Sequence, residues 1–488
     1  MKYVSLLLAT LLANPSPVLA GDGEVQAQAV EALVKRHAEL DMFSGTVIVA
    51  DHDKIVYANA FGQANKDHRV PNRLDTSYNI GSIGKTFTAV AIMQLVEAGK
   101  LRLDDRLARF LPDFPFPEKD TITIQQLLNH SSGLGDYMEH ADYKRTMSGV
   151  DTIADILPLI YAQTPLFAPG ERFGYSNSGM VVLGAIIETA SGMSYPGYLQ
   201  RHVFGPAGMN DSHLAQEDDV LANRSIGYTI KPDGGYRANV REIMAASADG
   251  GLHTTAPDLL RFDQALNGNA LLRADSRQQM LTPVGPVPFY ASGWFTKRVD
   301  GHLAVGHGGG APGINAEFRR YPDDGYAVIV LSNYDRGATP LADEIEKSLF
   351  GLPYRLPTRI DADYARAEQF IEQGHATAAL SILDRLASAE QPHLPSLYAG
   401  AKLRIGGKVE VEVEQAVTAL TRYIELAGSD AQPSRAAAWW RKGNAHELLG
   451  KTAESRTSYE ESLRLDPGDE DVRQSLEKLT RKNRDSGR

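Results

Sequence analysis

A chain of 488 residues with 43% hydrophobic composition is long enough for two or three domains, each burying a core of its own. Its 61 acidic and 50 basic residues leave a formal net charge of −11, which excludes the broad basic surface that binds duplex nucleic acid by neutralising phosphates. The absence of cysteine excludes disulfides, thiolate nucleophiles and Cys-ligated metal or iron–sulfur centres.

At the N-terminus, Lys2 precedes an apolar run from Tyr3 to Ala13, a break at Asn14-Pro15-Ser16-Pro17, and Val18-Leu19-Ala20. Residues 1–20 read as a secretory signal, too short to span a bilayer comfortably. An exported protein, periplasmic or secreted, with no transmembrane span after cleavage is therefore expected. Helical spacing follows from Glu24 to Leu40, then a β-rich run from Phe43 to Ala50, a turn at Asp51–Lys54 and a return strand from Ile55 to Phe61. Ile83 to Ala98 is almost wholly apolar or small and stops at Gly99, which predicts a helix buried on most sides. Thr123 is placed to cap a short helix ending at Leu128, and Asn129–Leu134 reads as a turn. A second apolar helix is predicted from Met180 to Thr189 and another from Asp258 to Leu266. Leu303–Val305, Ala316–Tyr321 and Tyr326–Leu331 alternate as three strands, and Leu341 to Phe350 closes the domain as a helix.

The segment 352–360 reads as a linker, and residues 361–488 are helical in pattern without strand alternation. Three helical hairpins are predicted at 361–390, 394–427 and 435–466, with a last helix to about residue 480. In the third, Trp439, Gly443, His446, Tyr459 and Pro467 resemble the aromatic, glycine and proline positions of a tetratricopeptide repeat, with His446 in place of the usual tyrosine.

Three short motifs carry the chemistry. Ser82-Ile83-Gly84-Lys85 sets a serine one helical turn from a lysine, so both lie on one helix face and the lysine can take the hydroxyl proton. Alone the spacing is weak, because Ser475 and Lys478 repeat it on the polar terminal helix. Tyr175-Ser176-Asn177 stands just before the second apolar helix, whereas Tyr57-Ala58-Asn59 repeats its spacing in an ordinary strand. His307-Gly308-Gly309 lies beside a predicted strand in what reads as a Gly-rich turn. Two decoys fail. Gly84-Lys85-Thr86 lacks the earlier glycine of a phosphate loop, since position 79 is Asn79. His307 followed by Gly308, Gly309 and Gly310 imitates an α/β-hydrolase oxyanion motif, but no Gly-x-Ser-x-Gly elbow exists in the chain. His130 and His253 are read as structural.

The order and setting of Ser82, Lys85, Tyr175 and His307 resemble the serine β-lactamase and penicillin-binding protein family, in the branch of class C β-lactamases, D-Ala-D-Ala carboxypeptidases and esterases. The segments Tyr78–Ala89, His130–Leu134 and Gly306–Gly309 support the resemblance, which spans roughly residues 25–350. It implies an α/β fold with a five-stranded antiparallel sheet flanked by helices plus a helical lobe, over residues 21–351, followed by the all-α repeat domain. It also implies that Lys85 and Tyr175 share the proton shuttle, that Asn177 orients Lys85 and the substrate amide, and that the N–H groups of Ser82 and Gly310 form an oxyanion hole beside His307, Gly308 and Gly309. No cofactor or metal is called for. With His307 where many relatives carry a second lysine, a neutral Tyr175 working with Lys85 is favoured, and activity is expected to follow His307 protonation near neutral pH. The implied function is hydrolysis of amide or ester bonds through a Ser82 acyl-enzyme, on D-amino-acid peptides or small esters. β-Lactam hydrolysis, or a non-turnover sensor whose repeats recruit a partner, are the alternatives. Substrate is a small molecule or peptide, and the repeats imply a protein or peptide partner. Loops at Asp136–Gly149, Asn210–Asn239 and Pro283–Trp294 are expected to set specificity.

Overall fold

The structure, a computed structural model, describes residues 22–52, 54–143, 152–215, 219–240, 247–407 and 410–486. The signal-like segment 1–20 lies outside the described residues. An antiparallel sheet is built from β1 (Gly45–Asp51), β2 (Lys54–Phe61), β3 (Phe295–Val299), β4 (His302–Ala311), β5 (Ile314–Tyr321) and β6 (Tyr326–Ser332). The strand order is β2-β1-β6-β5-β4-β3. β1 and β6 are central, buried on both faces, and read as continuous Val/Ile/Ala runs for that reason.

The five strands expected to share this sheet do so, and β3 is a sixth at its edge. Its sequence Phe-Thr-Lys-Arg-Val buries only Thr296 and shows the charged side chains typical of an unprotected edge, so it carries no apolar alternation to read. β3 pairs with only the first half of β4, from His302 to Gly306, and leaves His307–Ala311 without a strand partner on that side among the described residues. The expected turn at His307 is instead the middle of β4. Its glycines serve close approach rather than reversal: a Cβ on Gly306 would meet the Phe318 carbonyl oxygen at 2.2 Å, and one on Gly309 the Ile80 carbonyl oxygen at 1.9 Å.

Helices α1 (Asp22–Glu39), α2 (Gly84–Glu97), α3 (Asn177–Ser191), α4 (Ala256–Asn267) and α5 (Thr339–Leu349) cover the two faces. On one face, Val30, Leu33 and Val34 of α1 and Leu341 and Ile345 of α5 pack on Val47, Val49, Val328 and Val330. On the other, Phe87 of α2 stacks on Phe262 of α4 at 4.1 Å between ring centroids, above Ile48, Phe318 and Ile329. α2 is buried along almost its whole length because it lies between this sheet face and α3, which belongs to the helical lobe. Thr123 and Gln126 close the expected capping box ahead of Ile124–Leu128.

Beyond Leu349 the chain is helical: α6 (Arg359–Glu372), α7 (Ala376–Ala387), α8 (Leu394–Gly407), α9 (Glu410–Leu426), α10 (Arg435–Leu448), α11 (Thr452–Leu465) and α12 (Glu470–Ser486). α6 begins inside the segment expected as linker, because Thr358 and Asp361 form a capping box that starts the helix there. In the third hairpin a Cβ on Gly443 would strike the Tyr459 ring at 2.4 Å, which explains the small residue opposite that aromatic. His446 bonds Ser458 with its ring nitrogen. The helical array docks on the first domain through Ile230 against Phe370 and Ala379, and through Arg336, which pairs with Glu368 at 3.2 Å and Glu372 at 3.5 Å. Ile230 belongs to a hairpin, Gly227–Ile230 with Tyr236–Asn239, that the polar sequence of this region did not reveal. No helix among the described residues is long and apolar enough to cross a membrane.

Candidate active site

Ser82 sits in a single 3-10 turn, Gly81–Ile83, that runs straight into α2. Gly81 adopts φ 51°, and a Cβ there would lie 3.0 Å from the Gly310 nitrogen, so the turn is pressed against the end of β4. That contact brings the backbone of Ser82 and Gly310 to one place. Ser82 is half-buried and Lys85 is fully buried. The Lys85 Nζ donates to Ser82 Oγ at 2.9 Å and to the Asp249 carbonyl at 2.5 Å. It also lies 5.0 Å from the centroid of the Tyr175 ring. Tyr175 stands on the loop that enters α3, as its position before an apolar run predicts.

Asn177 does not orient Lys85. Its Nδ2 donates to the Asp136 carboxylate at 2.7 Å, a charge-assisted bond, and its Oδ1 is buried with no partner among the described residues. Because a carboxylate only accepts, this bond fixes which amide atom is which and leaves Oδ1 as a free acceptor. The Asp249 backbone carbonyl takes over the expected orienting role toward Lys85. The Asp249 carboxyl is itself fully buried behind Lys85, accepts from Tyr137 Oη at 3.0 Å, and has an unpaired Oδ1. Burial raises its pKa to about 6 against the opposing pull of Lys85.

His307, 3% exposed, is held within a directed hydrogen-bonded chain. The Ser176 N–H donates to His130 Nδ1 at 3.2 Å, so in the neutral ring His130 Nε2 carries the proton and donates to Tyr290 Oη at 3.1 Å. Tyr290 then donates to His307 Nε2 at 3.1 Å, and His307 Nδ1–H donates to the Gly308 carbonyl at 2.6 Å. Desolvation, reinforced by the Lys85 charge, pushes His307 down to about 3. The same two effects, with His307 itself, push His130 well below the ordinary histidine range. Both rings are therefore neutral at neutral pH, and the expectation that His307 titrates there is overturned. His130, read as structural, orients the site through this chain, and its ring packs 4.4 Å from Tyr175.

The structure thus gathers Ser82, Lys85, Tyr175, Asn177, His307 and the Gly308–Gly310 strand at one cleft. Asp249, Tyr290 and Asp136 join them without a motif to announce them. Of the three loops expected to set specificity, Asp136 and Tyr290 reach the site directly, while residues 144–149 lie outside the described residues. Among the described residues, no cluster of side chains could hold a metal ion.

A serine hydroxyl within hydrogen-bond reach of a buried lysine, at the start of a buried helix and facing a glycine-rich strand, defines an active-site-serine acyl hydrolase. The Beta-lactamase family matches residues 27–349, and the chain belongs to it. A tetratricopeptide repeat matches residues 436–469. The chain is 32% identical over 355 residues to penicillin-binding protein 4* of Bacillus subtilis (strain 168), covering 68% of this chain and 77% of that one. It is 27% identical over 332 residues to a D-aminopeptidase of Brucella anthropi, covering 66% of this chain and 62% of that one. The crystal structure of a penicillin binding protein from Bacillus halodurans matches with a TM-score of 0.59 at 34% identity, over 64% of this chain and 98% of the other. The protein is a serine hydrolase of the β-lactamase and penicillin-binding protein type.

Proposed function

We propose that the protein hydrolyses amide bonds of D-amino-acid peptides or amides through an acyl-enzyme on Ser82. The observation that carries this reading is the 2.9 Å contact between Ser82 Oγ and the buried Lys85 Nζ. Ser82 Oγ attacks the acyl carbon when Lys85 is in its deprotonated amine form, the serine proton passing to that amine with Tyr175 relaying it. The carbonyl oxygen, gaining charge, receives the N–H groups of Ser82 and Gly310. Collapse breaks the C–N bond, the departing amine takes the proton back from the Tyr175–Lys85 pair, and water then cleaves the ester by the same route. The unpaired Asn177 Oδ1 supplies an acceptor for a substrate N–H. The likeness to a D-aminopeptidase supports the D-amino-acid class, and a neutral His307 supplies no cation for a β-lactam carboxylate.

The helical repeats are proposed to bind a protein or peptide partner, and export is proposed from the N-terminal sequence alone. A panel of D-alanine p-nitroanilide, a nitrophenyl ester and a chromogenic cephalosporin, with intact mass recorded for wild type and Ser82→Ala, tests the chemistry. Turnover of the D-anilide that Ser82→Ala lacks is the expected result. A stable cephalosporin adduct on Ser82 without turnover of any substrate would replace the hydrolase reading with that of a sensor.

A further inference from the structure

The unpaired half of β4 leads somewhere. From Gly308 to Ala311 its outer edge has no strand beside it among the described residues, so an extended substrate can lie along it and pair its amides with the strand. Direction follows from the proton donor: Tyr175 packs toward His307, with ring centroids 6.4 Å apart, so the departing amine lies at the His307 end. The acyl part of the substrate must then run past Gly310, about 10 Å along the strand from His307, toward Pro312.

A cavity opens at that point, of about 320 Å³, lined by Gly310 and Pro312 of the catalytic strand and its turn, by Thr229 and Arg237 of the small hairpin, and by Gln369 of α6 and Gln373 just after its end. The repeat domain thus forms one wall of a space that begins at the oxyanion strand. Two carboxylates also border it, but both are engaged. Asp335 accepts from the Gly313 N–H and from Thr229, and Glu372 pairs with Arg336. Arg237 makes no ion pair within 4 Å among the described residues and is exposed, while its charge acts at longer range on Asp335. The cavity therefore offers an exposed guanidinium and two carboxamides.

We infer that this cavity is a subsite for the acyl segment of an extended peptide substrate, with Arg237 receiving a carboxylate on that segment and Gln369 and Gln373 of the repeat domain receiving its amides. The inference rests on the acyl-enzyme reading and adds to it a substrate class: acidic peptides longer than a dipeptide. It also gives α6 a part in specificity distinct from recruitment of a partner.

The test uses the full chain and three substrates with one leaving group: N-succinyl-Ala-D-Ala p-nitroanilide, its N-acetyl counterpart, and D-alanine p-nitroanilide, which is too short to reach the cavity. Wild type is expected to favour the succinyl peptide by about tenfold in kcat/KM, through KM, as a charge-assisted contact should. Arg237→Ala should erase that preference and Arg237→Lys keep part of it. Gln369→Ala with Gln373→Ala should lower kcat/KM for both peptides several-fold. All variants should turn over the short anilide within about twofold of wild type. Equal use of the two peptides by wild type, a preference that survives Arg237→Ala, or no cleavage of either peptide while the anilide is turned over, would overturn the subsite and leave the acyl-enzyme reading standing. Loss of the anilide activity in wild type itself would instead refute that reading.

Discussion

Replacing Asp249 by asparagine isolates the cost of keeping a carboxyl group in the core behind Lys85. Folding lifts its pKa from 3.8 to about 6 because burial disfavours the anion more than Lys85 and Tyr137 favour it. A shift of about two units corresponds to about 3 kcal/mol at roughly 1.4 kcal/mol per unit. The folded state holds the proton more tightly than the unfolded chain, so between about pH 4 and pH 6 it binds more protons and stability falls as pH rises. Well below pH 3.8 the group is neutral in both states and costs nothing. The amide of Asp249→Asn would keep the acceptor for Tyr137 and carry no charge, so the variant should gain on wild type by about 3 kcal/mol on going from about pH 3 to pH 7. Urea unfolding followed through Trp294, buried in the catalytic domain, reads this if Trp439 and Trp440 of the repeats are first replaced by phenylalanine. The groups facing the carboxyl, namely Lys85, Asp136, Tyr137, Tyr143 and Tyr195, are common to both proteins and cancel to first order. A stability difference that does not change with pH would refute the assignment of a raised pKa to Asp249.

Two further outcomes follow from the site. His307, held at about 3 by burial and Lys85, should keep a neutral ring from pH 8 down to pH 5, so carbon-13 shifts of labelled histidine at this position should stay flat over that range; a midpoint near 6.5 would contradict the geometry. In Gly309→Ala, the new methyl would lie 1.9 Å from the Ile80 carbonyl and must push the Ser82 turn away from β4. Activity should drop by about a hundredfold or more with a stability loss of about 1–3 kcal/mol, read by kcat and a thermal melt; wild-type kcat would show that the oxyanion strand tolerates the shift.

Ser82, Lys85 and Tyr175 were legible because each abuts a long apolar run, and an apolar run that must open to substrate at one end marks that end. His307 was legible as a position and misread in charge. Its burial arises from Tyr290 and Phe295 packing around it, contacts that no local pattern encodes. Asp249 lay inside Ser247-Ala248-Asp249-Gly250-Gly251, small residues with no apolar periodicity to mark a core position. Only the return of Tyr137, 112 residues earlier, and of Lys85, 164 residues earlier, turns it into a core carboxyl. β3 and the hairpin at Gly227–Asn239 escaped for a simpler reason: short edge elements bury few side chains and so have no periodicity to display.

The pairing of β1 with β6 joins Gly45 to Ser332 across nearly the whole catalytic domain. A chain made from its N-terminus cannot close that sheet until the last of those strands has left the ribosome, so the first domain must wait, with its apolar strands unpartnered, through the synthesis of almost three hundred residues. The helical repeats that follow contact mainly their immediate neighbours and can form as they emerge. The end of the chain made last is thus the part with the least to wait for, and the longer wait falls on the domain that carries the catalytic serine.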